Sequence, residues 1–372
     1  MKHHRTKRTG QSTPVKIYRE RFTRAWCITA TAVIVIWALW ALLDAFVIPR
    51  DIVKADQTTA VPAQTDSQQD AQAEEQAGSQ QAPTDSQTAA QDEASSSPAE
   101  ESQDTQAEPA TEAEAGGEAP REALTEPVIS DTSYDDGQIY IEISYMRTLD
   151  TDVYIANVIL NDPAFLKTAL AEGSFGRNLT DTTSNIAEQN GAIFAVNGDY
   201  YGFRDTGYVM RNGYLYRSVP GKDPDQEDLV LYEDGTVRIL READYTAEEI
   251  RDSGAVDIFS FGPGLVIDGE ISVSGGDEVE RAQVTNPRTA FGVISPLHYL
   301  FVVSDGRTDE STGLSLLELA DLMKEMGCVT AYNLDGGGSS TMWFNGKVLN
   351  RPTTFGDTIA ERNVSDIVYI GK

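Results

Sequence analysis

Nineteen consecutive residues, Ala25 to Leu43, carry no charged side chain and are rich in Ile, Val, Leu, Trp and Ala. A helix of about 20 apolar residues spans the hydrocarbon of a bilayer, so this run predicts one membrane-spanning helix over residues 25–48. Trp26, Trp37 and Trp40 lie toward its ends, where interfacial aromatics belong. Residues 1–24 hold Lys2, Arg5, Lys7, Arg8, Lys16, Arg19, Arg21 and Arg24 against Glu20 alone. Positive flanks stay in the cytoplasm, which puts the C-terminal bulk outside the cell. A cleaved signal peptide is the competing reading. The run is long for one, and the small-residue cleavage pattern after it is poor.

Residues 51–126 contain no aromatic residue and carry two basic against eighteen acidic side chains. Such a composition buries too little apolar surface to offset chain entropy. Residues 49–127 are therefore read as a disordered acidic linker, whose flexible chain spans roughly 50 Å on average.

From residue 128 the texture changes to short apolar runs broken by Gly and Asn-Gly turns. Strands are expected at 138–146, 152–160, 191–196, 208–211, 214–217, 229–233, 236–240, 264–267, 289–294, 298–303, 328–333, 341–344 and 366–370. Asn212-Gly213, Asp234-Gly235 and Asn345-Gly346 mark hairpins. One helix is expected near Thr183-Ser184. A second begins at Ser315, with Glu318 completing a capping box, and stops at Gly327. Many strands with few helices over 128–372 predict a single α+β domain on a mixed sheet.

The charge of this domain excludes one partner class. Residues 127–372 hold 18 basic and 39 acidic side chains, a net charge of −21, which repels phosphate backbones and argues against nucleic-acid binding. Cys328 is the only cysteine there, so neither a disulfide framework nor a multi-cysteine metal site is available. His298 is the only histidine after residue 4 and opens an apolar strand, which argues against a Ser-His-Asp triad or a His-rich zinc site. Acid–base work then falls to carboxylates, with water or an oxygen-bound divalent cation such as calcium as the only cofactor in view; no metal ligand set is assigned.

Three apolar strands end in polar, glycine-containing turns: Asn197-Gly198-Asp199, Ser304-Asp305-Gly306-Arg307, and Asn333-Leu334-Asp335-Gly336-Gly337-Gly338-Ser339-Ser340. The second and third flank the Ser315 helix. A strand-helix-strand unit of this kind usually has parallel strands, which brings Asp305 and Asp335 to the same side. Turn capping is the competing reading for each Asp taken alone. Three glycines before two serines let backbone N–H groups approach an anion, although no P-loop lysine follows. Arg288 and Arg362, each just before a strand, are natural phosphate partners in so acidic a domain.

With Asn197-Gly198-Asp199-Tyr200-Tyr201, Phe261-Gly262-Pro263-Gly264-Leu265, Asn286-Pro287-Arg288-Thr289-Ala290-Phe291-Gly292, Val303-Ser304-Asp305-Gly306-Arg307, Asn333 to Met342, and Glu361-Arg362-Asn363-Val364 in this order, the chain resembles the phosphodiester glycosidase family over roughly 180–370. Asp199 stands where that family usually carries a small residue or glycine.

The resemblance implies hydrolysis of a sugar-1-phosphodiester. A phosphate monoester leaves readily, its second pKa being near 6, so one carboxylate suffices where ordinary glycosidases pair two. Asp335 is the first candidate, followed by Asp305 and Glu361. Arg288, Arg362 and the N–H groups of Gly336, Gly337 and Gly338 are expected to hold the phosphate. Asn197 and Asn333 are expected to bind sugar hydroxyls, with Asp199, Ser339 and Ser340 lining the same site. The expected partners are a glycan or sugar-1-phosphate substrate, drawn from cell-surface, wall or exopolysaccharide glycans, and a lipid bilayer through residues 25–48. The oligomeric state is left open. A non-catalytic glycan-binding or wall-assembly module is the alternative.

Overall fold

The computed structural model describes residues 121–276, 285–355 and 358–372, with the backbone of Val53–Lys54. The expected cytoplasmic tail, membrane helix and all but the last residues of the linker lie outside this set, apart from that short strand. Among the described residues no helix is long and apolar enough to cross a membrane. Contacts of the domain reach back to Arg121, whose N–H donates to Asn161 Oδ1.

Seven strands and three helices frame the candidate site. They are β1 (Ile139–Thr148), β2 (Thr151–Leu160), β3 (Phe194–Asn197), β4 (Arg288–Ser295), β5 (His298–Ser304), β6 (Thr330–Leu334) and β7 (Asp366–Ile370), with α1 (Thr183–Gln189), α2 (Ala247–Asp252) and α3 (Leu316–Glu325). A nine-stranded sheet runs in the order Glu270–Ile271, Gly264–Ile267, β6, β4, β5, β2, β1, Ser133–Asp135, Val128–Ile129. A five-stranded sheet places β3 beside β7, between Met342–Phe344 and Leu166–Leu170. A second five-stranded sheet holds Val209–Arg211, Glu227–Tyr232 and Ala255–Phe259. The described part is thus mostly sheet with few helices, in one domain.

The inner faces of the three sheets share one core. Ile139, Ile141, Phe291, Phe301 and Leu334 come from the large sheet, Phe194, Val196 and Val368 from the second, and Leu229 and Phe259 from the third. The other face of the large sheet is covered by α3, whose Leu316, Leu319, Ala320 and Met323 pack on Val153, Ala290 and Val302. Strands so covered are apolar on both faces, which is why β4 and β5 read as nearly continuous apolar runs rather than alternating ones. Each large side chain buried there contributes about 1.5–3 kcal/mol.

The turns follow from local chemistry. Asn212-Gly213 and Asn345-Gly346 both take the left-handed conformation that a two-residue hairpin needs, and each closes an antiparallel pair. Ser315 caps α3 in a full capping box with Glu318. The short α2, likewise capped by Thr246 and Glu249, was not expected from the sequence.

β5 and β6 are parallel, as the strand-helix-strand pattern predicts, but they are not neighbours. β4 lies between them and pairs antiparallel with both. The C-terminal ends of β5 and β6 and the N-terminal end of β4 therefore share one edge of the sheet. Asp305 and Asp335 sit there two strand spacings apart, roughly 10 Å.

Candidate active site

The centre of this edge is the turn that follows β6. Asp335 is nearly buried, and its Oδ2 accepts from Ser339 Oγ at 2.6 Å and from Arg362 Nη2 at 3.1 Å. Arg362 also donates through Nε and Nη2 to Ser339 Oγ, at 2.9 and 2.6 Å, and to Gly336 O at 3.1 Å. Asp335 Oδ1 has no hydrogen bond among the described residues, so it is the oxygen left for a reacting atom or water. Burial pushes the Asp335 carboxyl above the usual carboxylate range, and the Arg362 guanidinium opposes that shift.

The glycine turn is shaped by what crowds it. Gly337 sits at φ +63°, and a Cβ there would lie 2.7 Å from Arg307 Nη2. The Arg307 guanidinium thus lies directly over the turn, fixed by donation from Nε to Asn286 Oδ1 at 3.0 Å. Burial lowers the Arg307 pKa, and the positive charges of Arg362 and Arg288 lower it further while Asp335 pulls the other way. The Arg307 and Arg362 guanidinium groups and the Asp335 carboxylate therefore meet at the glycine turn. Arg288 is buried and donates from Nε to Leu314 O at 2.9 Å. Of the three glycine N–H groups expected to meet an anion, that of Gly337 is already donated to Pro287 O at 2.8 Å.

Other expected site residues serve the frame. Asn197 Nδ2 donates to Asp335 O at 2.6 Å, and its Oδ1 accepts from Thr289 Oγ1 and Thr341 N. The side chain is fully engaged, so it positions Asp335 and is not turned toward a sugar. Asp199 is buried too. Its Oδ1 accepts from Tyr200 N and its Oδ2 from Ser260 N, which ties it to the 260 loop instead of a ligand. Asn333 Nδ2 holds Gly262 O at 2.8 Å, while its Oδ1 is buried without a partner. Ser340 Oγ and Thr341 Oγ1 are likewise buried and unpartnered, leaving spare polar groups around the turn.

The remaining two carboxylates stand apart from Asp335. Glu361 spends both oxygens on Ser184, accepting from its N–H at 3.0 Å and its hydroxyl at 2.5 Å, and so caps α1. Asp305 Oδ1 accepts from Asn350 Nδ2 and Arg351 N, while its buried Oδ2 has no partner. Burial raises its pKa as well. Asn350 also donates to Ser340 O and so links Asp305 to the glycine turn.

Behind the site lies a buried ion cluster that the sequence reading did not find. Arg211 is 1 % exposed; its Nε donates to Asp366 Oδ2 at 2.7 Å, and its Nη2 lies 2.6 Å from the same oxygen as an ion pair. Asp366 Oδ1 in turn accepts from Asp199 N at 2.8 Å. A Cβ at Gly198 would lie 2.5 Å from that Oδ1, so the Asn197-Gly198-Asp199 turn closes on the carboxylate only with glycine. Asp366 was legible in one respect, as a lone acid opening an otherwise apolar strand. Arg307 was legible too, since the reasoning that singled out Arg288 and Arg362 applies equally to an arginine just after β5. Among the described residues no group of three or more His, Cys, Asp or Glu is placed to hold a metal ion.

Comparison with known proteins adds a family to this geometry. Residues 190–371 match the family model described as phosphodiester glycosidase. An uncharacterized SPbeta prophage-derived protein, YomE, of Bacillus subtilis (strain 168) is 29% identical over 181 residues, covering 47% of this chain and 28% of that protein. N-acetylglucosamine-1-phosphodiester alpha-N-acetylglucosaminidase of Mus musculus is 28% identical over 189 residues, covering 46% of this chain and 35% of that enzyme. The chain thus spans about a third of the length of these curated relatives. The zebrafish catalytic domain of the same enzyme, a structure auto-inhibited by its pro-peptide, shares the fold with a TM-score of 0.51 at 21% identity. That likeness covers 68% of this chain and 87% of the zebrafish domain, more of the chain than the family model matches.

Proposed function

We propose that the phosphodiester glycosidase domain at residues 190–371 hydrolyses a sugar-1-phosphodiester, releasing the sugar from a phosphate-bearing acceptor. The reading rests on one observation, the meeting of Asp335 with Arg362, Ser339 and Arg307 over a glycine turn. The guanidinium groups hold the phosphate and neutralise the charge that grows on it as the glycosidic bond breaks. Asp335, through Oδ1, attacks the anomeric carbon or takes a proton from the water that does. Ser339 and Arg362 share Oδ2 and so fix which oxygen is presented. Asn197 and Thr289 hold the backbone beneath, so their contribution is to position Asp335.

The distant mouse enzyme carries the activity in its name and supports the reaction class, not the sugar. Membrane anchoring through 25–48, an extracellular domain and a cell-surface or wall glycan as substrate remain part of the proposal. They rest on the composition of residues 1–127.

The direct test incubates the full-length chain with UDP-sugars and other sugar-1-phosphate diesters, with and without calcium, and measures free sugar. Release is expected, reduced at least about a hundredfold in Asp335→Asn. Equal release by wild type and by both Asp335→Asn and Arg307→Ala sinks the assignment. Tight glycan binding with no release at all shifts it to the non-catalytic module.

A further inference from the structure

The register of the large sheet carries the site sideways. Leu334 of β6 pairs with Thr289 of β4, Thr289 with Val303 of β5, Val303 with Tyr154 of β2, and Tyr154 with Tyr145 of β1. Residues in one cross-strand row point to the same face. Leu334, Val303 and Tyr154 accordingly all pack on the inner core. Asp335 follows Leu334 at one end of the row, and a pair of tyrosines closes the other. Four strand steps separate the ends, roughly 19 Å.

The tyrosine pair lies where the core runs out. Ile139, Ile141 and Ile143 are the buried side of β1, and Tyr145 continues that side but is 57% exposed. The rings of Tyr145 and Tyr154 meet at 5.6 Å and 62°, forming an open corner. The Tyr145 hydroxyl donates to Asp152 Oδ1 at 2.5 Å, and Arg147 Nη1 donates to the same oxygen at 2.8 Å, which holds the ring in place. Arg147 pairs with Asp152 and Arg351 with Glu310, while the nearby Asp305 carboxyl, whose Oδ2 has no partner, adds negative charge that opposes an anion. The corner therefore favours a neutral ring over an anion, in contrast to the arginines at the glycine turn.

We propose that Tyr145 and Tyr154 form a distal subsite that takes an uncharged saccharide ring of a glycan chain, remote from the bond being cut. The assignment of that bond rests on the hydrolase reading above. The subsite lies outside the residues 190–371 that the family model matches. Its distance from Asp335 is more than one sugar ring spans, which makes the substrate an oligomer or polymer. An apolar ring face stacks on Tyr145, the second ring lines its edge, and the hydroxyls meet Asp152 and the Tyr154 hydroxyl.

The test titrates the full-length chain with neutral tetrasaccharides of glucose, N-acetylglucosamine or mannose, and with the matching monosaccharides, following tyrosine fluorescence. At least one tetrasaccharide is expected to bind more tightly than its monosaccharide. Tyr145→Ala weakens it about tenfold, and Tyr145→Phe keeps it. In turnover, Tyr145→Ala raises KM more for a four-unit glycosyl phosphodiester than for a UDP-sugar. Binding of none of the tetrasaccharides, or equal binding by Tyr145→Ala and wild type, overturns the subsite. Tyrosine-dependent binding without hydrolysis of any diester leaves the subsite standing and removes the hydrolase reading instead.

Discussion

Asp335 is held between two opposing effects, and their balance sets when it can work. Burial favours the neutral acid, while Arg362 at 3.1 Å favours the carboxylate. A nucleophile or base must be ionised, so activity should rise with pH through a limb above the usual carboxylate range. Removing the cation leaves burial unopposed. Arg362→Gln should therefore move the acid limb of the kcat/KM profile to higher pH, besides lowering its plateau. A limb that stays in place would show that another group titrates. The glycine turn offers a second check. Gly337→Ala places a methyl on a left-handed backbone and against Arg307, which strains the turn and displaces the guanidinium. Turnover should fall at least about tenfold with only a small drop in Tm, since the turn bears little of the core. At this scale the sequence was a partial guide. Asp335, Arg288 and Arg362 are residue types whose chemistry announces itself. The inward roles of Asn197 and Asp199 are not visible, because a polar side chain in a turn looks the same whether it faces a ligand or the Asp366 cluster behind it.

The elements that carry these residues were easier to read than their neighbours in space. Hairpins at Asn212-Gly213 and Asn345-Gly346 and the capped helix α3 are specified by a few adjacent residues, and they form where those residues stand. Ser315→Ala removes the α3 cap and should cost about 1 kcal/mol in a denaturant or thermal unfolding experiment. Leu319→Ala, at a fully buried position between α3 and the sheet, should cost about 2–5 kcal/mol. If the cap proved the larger of the two, packing of α3 on β4 and β5 would not be what secures it. The insertion of β4 between β5 and β6 is a different matter. It is a long-range pairing that local propensity does not encode, yet it determines the spacing of Asp305 from Asp335. A parallel pair read from the sequence alone puts the two acids one strand closer than they are. That extra strand also brings Arg288 in between, where its charge reaches Arg307.

On the scale of the whole molecule, a domain of net charge −21 carries a small cationic centre, which the proposed reaction would turn toward an anionic linkage. Field and site then act in opposite senses at different ranges. On the proposed function, Arg307 and Arg362 attract the phosphate once it is within a few ångströms, whereas the surface repels a polyanion at longer range. Screening separates the two, because the Debye length falls from about 30 Å at 0.01 M salt to about 8 Å at 0.15 M. For a substrate with many phosphates, kcat/KM should rise over this range as repulsion is screened. For a UDP-sugar, with only two phosphates, the rise should be smaller, and further salt should lower it by screening the arginines. Measuring both substrates from about 0.01 to 0.5 M sodium chloride distinguishes the cases. A polymer whose kcat/KM falls from the lowest salt onward would mean that it meets a local positive path and not the average surface. Repeating the series with calcium at matched ionic strength isolates the divalent ion. A gain beyond that of sodium chloride then reports specific binding to the acidic chain or to the substrate, because general screening is already accounted for.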